Sequence, residues 1–566
     1  MRSTFLPAVL LFFASMAFQM SFIWLDAFSA DEGIVLVAAD DVAKGKHLYK
    51  DIHVPLTPLV YLLQGFAFKM LGGSFLLSRL LMSILYASMV SLVFIIATSC
   101  MPYAFALVAG LVAAVLQVWG WPHAQFFTYT PLSIFFCVLA IYFTWQAEIH
   151  SRASWPLLFL GAAIAGAGWA KPNLGFLAAV GVLFYWILGL IRSAIGAPTY
   201  RDQSIAGLLR KGLLATAGTA CASLPLILYL SATRTLGSMI ESLREVFALY
   251  GELPPDLFPA LFPLTRQLET MRLDPLLSLP GILNSALMFD SGFAYLVDHT
   301  LWVDALVRII QYSMPLILLG TLLYLAIRLW RKDWTARDEV ALLVLSVTAA
   351  LYLSVIPFPA IHYLLPAQVP AVVLACFLGA RVWNISHQQA RSLLRASAVS
   401  ALAIYLLVSS ATLAVYVLHP RAIVRTKVGP LFLDPLTAQP LNEMLAYARE
   451  KLPPEATIFV FPHDALFYFL TGMNHPARFV DLRPHSPGAD AEDEIIAQLE
   501  HRKVPVVFYF TGARFPDAPS PEGSYPRLHH YLTTHFKVDR EFKTVLGTFA
   551  QARWRRVPAR TLDRNS

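Results

Sequence analysis

The chain carries a succession of apolar runs, each long enough to cross a bilayer, and no other feature restricts its fold so severely. In hydrocarbon every backbone N–H and C=O must find its partner inside the protein, so a run of ~20 apolar residues is a helix. Such runs fall near 4–25, 75–98, 101–121, 131–147, 155–170, 173–191, 212–231, 303–327, 339–357, 363–380 and 397–418. They predict a polytopic α-helical membrane protein of about eleven transmembrane helices. Composition agrees: 57% of the 566 residues are hydrophobic and 14% are charged, against roughly 25% charged in a soluble domain. A soluble globule is excluded.

Charge divides the chain and orients it. From Pro420 onward there are 19 basic and 16 acidic residues, about 24% charged, whereas the preceding part holds about 11%, as a membrane body should. We therefore expect a transmembrane domain over residues 1–418, with outer loops at 26–74 and 232–302, and a soluble C-terminal domain over 419–566. Arg192, Arg201, Arg210 and Lys211 share one connection, Arg328, Arg331, Lys332 and Arg337 a second, and Arg381, Arg391 and Arg395 a third. Connections 122–130 and 358–362 hold no Lys or Arg. The positive-inside rule then places the N-terminus in the cytoplasm and the C-terminal domain outside a multi-pass cytoplasmic (inner) membrane protein. Residues 4–25 follow the lone Arg2 and read as an uncleaved anchor; the alternative is a cleavable signal, because small residues precede Asp31.

The extracytoplasmic pieces have distinct patterns. Residues 33–43 form a helix-like stretch whose Ile34, Val37, Ala38 and Val42 are spaced to lie along a membrane surface. Loop 232–302 contains Pro254, Pro255, Pro259, Pro263, Pro275 and Pro280, so broken, short helices are expected there. The tail alternates helical patterns at 441–452, 490–502 and 525–535 with strand-like runs at 457–461, 504–510 and 542–549, which predicts a small α/β or α+β domain. All four cysteines lie in apolar stretches, leaving the tail without a disulfide framework or a thiolate metal site. His463, His475 and His485 in the tail lack metal-ligand spacing and read as surface residues, and Asp290, Asp298, His299 and Asp304 as solvated loop charges. Arg553, Arg555, Arg556 and Arg560 read as a solvated face or a lipid-headgroup contact, and no nucleic-acid partner is expected.

The densest ionisable group outside the tail follows the first span: Asp26, Asp31, Glu32, Asp40, Asp41, Lys44, Lys46, His47, Lys50, Asp51 and His53. Lys44, Lys46 and Lys50 read equally well as solvated boundary charges. Asp31 and Glu32 are adjacent carboxylates at the end of a span, where low dielectric raises a pKa and suits one of them to general-base work. Their bland alternative is a pair of acids favouring a helix dipole. Lys171 and Arg79 lie at or within membrane helices, where cations are costly and tend to be functional; snorkelling and a structural ion pair are the competing readings. His362 and Tyr363 open a late span and line a substrate pocket or form an interfacial pair.

Asp31-Glu32-Gly33, Ala38, Ala39, Gly45, Tyr49, Asp51, Pro55, Pro58-Leu59, Tyr61-Leu62, Gly72 and Arg79 resemble the first-loop signature of GT-C fold glycosyltransferases. The likeness is to the bacterial relatives of protein mannosyltransferases and of the aminoarabinose transferase of lipid A, and it extends through Lys171-Pro172-Asn173-Leu174-Gly175 and His362-Tyr363-Leu364-Leu365-Pro366. The resemblance implies transfer, with inversion, of a sugar from a polyprenyl-phosphate donor to a glycolipid, glycan or protein outside the membrane. It makes Asp31 the candidate base, with Glu32 orienting it, contacting the acceptor or exchanging roles. Lys171 and Arg79 become candidates for the donor phosphate, and His53, Tyr49, Asp51, His123, His362 and Tyr363 for the substrate pocket. Many such enzymes place a second acid in the next outer loop. Here Trp121 to Thr130 has none, so no protein metal ligands are assigned, and a divalent cation is allowed without being required. A polyprenol-lipid flippase or solute transporter is the alternative; it should carry ionisable residues near the midplane of several spans, which here are nearly uncharged.

Overall fold

The computed structural model describes residues 2–27, 31–120, 124–196, 204–251, 301–356, 361–383, 388–482, 490–510, 521–544 and 547–556. In chain order it opens with α1 (Arg2–Met20), α2 (Asp31–Ala43), α3 (Leu59–Leu71), α4 (Phe75–Cys100), α5 (Tyr103–Trp119), α6 (Tyr129–Ile149), α7 (Trp155–Ala170), α8 (Pro172–Ala194), α9 (Ile205–Ala232) and α10 (Leu236–Gly251). Long helices Leu301–Trp330, Ala336–Tyr352, Ile361–Trp383 and Gln388–Leu418 follow. Among the described residues eight helices are long and apolar enough to cross a membrane. Three predicted spans correspond to shorter apolar helices, Thr4–Met20, Tyr103–Trp119 and Trp155–Ala170, so each of the eleven runs is helical. The chain divides into two compact units.

The first unit gathers Met1–Ile23, Arg79–Tyr229 and Leu253–His419. Its helices pack through small residues, which let backbones approach where lipid offers no hydrophobic drive. A Cβ added to Gly161 of α7 would stand 1.9 Å from the Ala215 carbonyl oxygen of α9, and one on Gly218 of α9 would stand 2.1 Å from that of Leu158. The Arg-rich ends are tied by buried ion pairs. Arg192 binds Glu339 at 2.6 Å and Lys211 binds Glu148 at 2.6 Å. Between α7 and α8 the chain breaks at Lys171, which is extended (φ −149°, ψ 106°), because Pro172 lacks an N–H and disfavours helical backbone in the residue before it.

The second unit gathers Trp24–Ser78, Leu230–Glu252 and Pro420–Ser566, so it joins the first loop to the tail. The tail begins with an antiparallel pair, β1 (Ala422–Thr426) and β2 (Gly429–Leu433), then the helix Pro435–Lys451, capped by Asp434, whose Oδ1 accepts from Leu436 N at 2.8 Å. A four-stranded sheet in the order β3-β4-β6-β5 follows, from β3 (Phe459–Phe461), β4 (Val506–Phe510), β5 (Phe536–Thr544) and β6 (Gly547–Arg555). β3 and β4 are parallel and the other pairs antiparallel. Phe459, Phe461, Val507 and Tyr509 from the sheet pack against Ile495, Leu499, Leu528 and Leu532. The predicted tail helices are found at Asp490–His501 and Pro526–His535, whereas the expected strand at 542–549 straddles the end of β5 and the start of β6, a hairpin that its even apolar run conceals.

The first loop is woven into that tail. Leu25 forms a bridge with Phe432, Asp26 N donates to the Phe432 carbonyl at 2.9 Å, and Arg421 pairs with Asp26 at 3.2 Å. Phe68 of α3 stacks on Phe469 with centroids 5.8 Å apart. α2 does not lie along a membrane surface. It is buried on almost every side from Glu32 to Ala39, held between α3 and the tail helix Leu466–Thr471. The face of α3 that bears Leu63, Phe66, Met70 and Leu71 is the apolar one left exposed.

Candidate active site

The acid pair occupies the first turn of α2. Glu32 is 1% exposed and Asp31 partly exposed, and the positive end of the helix dipole favours a carboxylate at both positions. Gly33 follows because nothing larger fits: a Cβ there would lie 2.6 Å from the backbone nitrogen of Leu466. At the other end of α2, Asp41 Oδ2 lies 2.6 Å from His475 Nε2, and Asp41 Oδ1 lies 2.7 Å from Lys46 Nζ. Burial pushes the Asp41 carboxyl up, but the hydrogen bond and charge of His475, together with Lys46, outweigh it and hold Asp41 below the usual carboxylate range. Lys46 and His475, which the sequence suggested as surface residues, are thus members of an ionic group. Lys44 makes an exposed i,i+4 pair with Asp40 at 2.6 Å.

The rest of the loop is shaped by its own polar residues. Tyr49 is buried with φ at 66°; its hydroxyl donates to the Leu56 carbonyl at 2.6 Å. Asp51 Oδ2 accepts from His47 N at 2.7 Å. His53 N donates to the Arg478 carbonyl at 2.9 Å, its ring rests on Phe479, and its Nε2 is 3.7 Å from Glu245 Oε2 of α10. Burial, then the Arg478 charge, lowers His53 to about 4. Burial, then Glu241, raises Glu245 above the usual range, with Arg478 opposing.

The cations belong to the first unit. Arg79, 2% exposed on α4, donates from Nη1 to Gln125 Oε1 at 3.2 Å, with its guanidinium 5.9 Å from the Phe126 ring centroid. Lys171 Nζ donates to Thr130 Oγ1 at 3.1 Å and faces two rings, Tyr129 at 5.6 Å and Tyr363 at 5.1 Å. The structure therefore brings together Lys171 and Tyr363, which the sequence assigned separately to phosphate and pocket. It adds Tyr129 and Thr130 from the first turn of α6 and Gln125 from the uncharged connection before it. His123 and the side chain of His362 lie outside the described residues, as do most of the proline-rich loop, His485 and Arg560. Among the described residues no group of three or more His, Cys, Asp or Glu side chains could hold a metal ion.

No family model matches the sequence, and no curated protein matches it. Solved structures do resemble this one. ArnT from Cupriavidus metallidurans bound to undecaprenyl phosphate superposes with a TM-score of 0.51 at 13% identity, over 97% of each chain. The oligosaccharyltransferase of Archaeoglobus fulgidus, in complex with zinc and sulfate, gives 0.53 at 12% identity, over 96% of this chain and 72% of that one.

Proposed function

The chain has the GT-C fold of those two proteins and is a multi-pass membrane protein, and from that premise we propose that it is an integral membrane glycosyltransferase. It moves a sugar from a polyprenyl-phosphate donor to a glycolipid, glycan or protein on the far side of the cytoplasmic membrane. The observation that carries this reading is the pair of cations drawn into an apolar helical body, Lys171 among Thr130, Tyr129 and Tyr363, and Arg79 beside Gln125. Cations inside an apolar helical body tend to be functional, and the similar ArnT structure holds undecaprenyl phosphate.

The reaction asks for two things of the protein. The acceptor hydroxyl must lose its proton as its oxygen attacks the anomeric carbon, and Asp31 takes it, with Glu32 beside it to orient or to share the proton. The bond from the anomeric carbon to the phosphate oxygen breaks with its electron pair going to the phosphate, whose growing charge Lys171 and Arg79 stabilise. Attack opposite the leaving group inverts the anomeric centre. Residues 1–418 are the catalytic membrane domain, with the N-terminus cytoplasmic, and residues 419–566 are extracytoplasmic. The test is binding of the lipid phosphate that the donor leaves behind: purified protein in nanodiscs should bind undecaprenyl phosphate, and Lys171→Ala and Arg79→Ala should each weaken it about tenfold or more, as loss of a charge-assisted hydrogen bond does. Undiminished affinity in both folded variants would refute the assignment.

A further inference from the structure

Both ends of the helix that bears the acid pair are held by one short stretch of the C-terminal domain. At the start of α2, Gly33 abuts the backbone of Leu466. About 12 Å further along the helix, Asp41 meets His475, the two being 3% and 6% exposed. His475 places both ring nitrogens against oxygen acceptors, Nε2 at 2.6 Å from Asp41 Oδ2 and Nδ1 at 2.6 Å from the Ala477 carbonyl. Lys46 Nζ, 3.2 Å from the same Nε2, binds the other Asp41 oxygen, so one carboxylate bridges the lysine and the ring. The Tyr468 ring closes the group edge-on, 5.8 Å from His475.

Such a group is a poor source of stability, since desolvation cancels most of the attraction and a packed apolar pair would serve as well. What it supplies is direction, because the carboxylate, the ring and the carbonyl satisfy one another in a single setting of α2 against the tail. We infer that His475 is a positioning residue for catalysis: through Asp41 it fixes the setting of α2, and with it the placement of Asp31 and Glu32. The inference rests on the reading of those two acids as the reacting groups.

Full-length protein in phosphatidylcholine–phosphatidylglycerol nanodiscs tests it with His475→Ala and Asp41→Asn. In each, deuterium uptake across 31–43 should speed up at least tenfold while uptake across β4, 506–510, stays at the wild-type rate. Turnover should fall about 10- to 100-fold, with the KM for the polyprenyl-phosphate sugar within a factor of two. Unchanged exchange in α2 overturns the inference. So does loosening of β4 together with α2, or loss of folded protein in both variants, since a positioning contact leaves the fold intact. Faster exchange in α2 with wild-type turnover would refute instead the assignment of Asp31 and Glu32, and the positioning role would fall with it.

Discussion

Asp31 and Glu32 are neighbours in one helical turn and differ in setting, Glu32 enclosed and Asp31 open on one side. A base must reach its substrate, which favours Asp31. Asp31→Asn keeps the size and the hydrogen-bonding oxygen and removes only the basicity, so turnover should fall by roughly 10²–10⁴ with donor binding intact. Were Asp31 merely a helix cap, asparagine would serve equally and the rate would not change; steady-state kinetics on the purified variant decide. His53 gives a second prediction. Its value is depressed from 6.5 to about 4 by burial and Arg478, so its contribution to stability is complete above pH 6.5, declines as pH falls and is gone below about 4. The loss is about 3 kcal/mol, and melting curves between pH 7 and 4 should show a steeper decline in wild type than in His53→Gln. At this scale the sequence singled out the acid pair and Lys171 as candidates, because an adjacent pair after a span and a Lys-Pro step between spans are local signals. The partnership of Asp41 with His475 was not legible there: the two are separated by 434 positions, and neither residue's neighbours record the other.

Among the elements, α2 shows where pattern reading succeeds and where it stops. Its helical character was visible, but the apolar positions that suggested a helix on a membrane surface are in fact covered by α3 and the tail helix Leu466–Thr471. Periodicity reports that a face is apolar and cannot say whether lipid or protein covers it. The close approach at Gly33 yields a test. In Gly33→Ala the new methyl meets the Leu466 backbone, which cannot rotate away, so α2 must shift. Overpacking of this kind costs about 1–3 kcal/mol, and calorimetry of the variant should show a lowered melting temperature together with reduced transfer. β1 and β2 escaped notice because five residues each, one strand containing Gly429 and Pro430, leave little alternation to read.

For the whole molecule, the membrane helices were legible because hydrocarbon enforces a length and a composition that survive in any single sequence. The joining of residues 24–78 and 230–252 to the tail in one compact unit was illegible, since it consists of contacts between distant segments. The orientation we propose rests on the arginine-rich connections. Reporter fusions after Gln388 and after Pro440 should report opposite compartments, the first cytoplasmic and the second extracytoplasmic. A cytoplasmic signal after Pro440 would leave Asp31 on the wrong side of the membrane for an extracytoplasmic acceptor.

The knitting of the first loop into the tail also sets an order of events during synthesis. At about 5–20 residues per second, α2 leaves the ribosome roughly 20–90 seconds before the histidine that will hold it. Every membrane helix after α1 is made in that interval, while the acid-bearing segment waits without its partner. The proposed transfer activity thus reaches its full rate only once translation has passed residue 475.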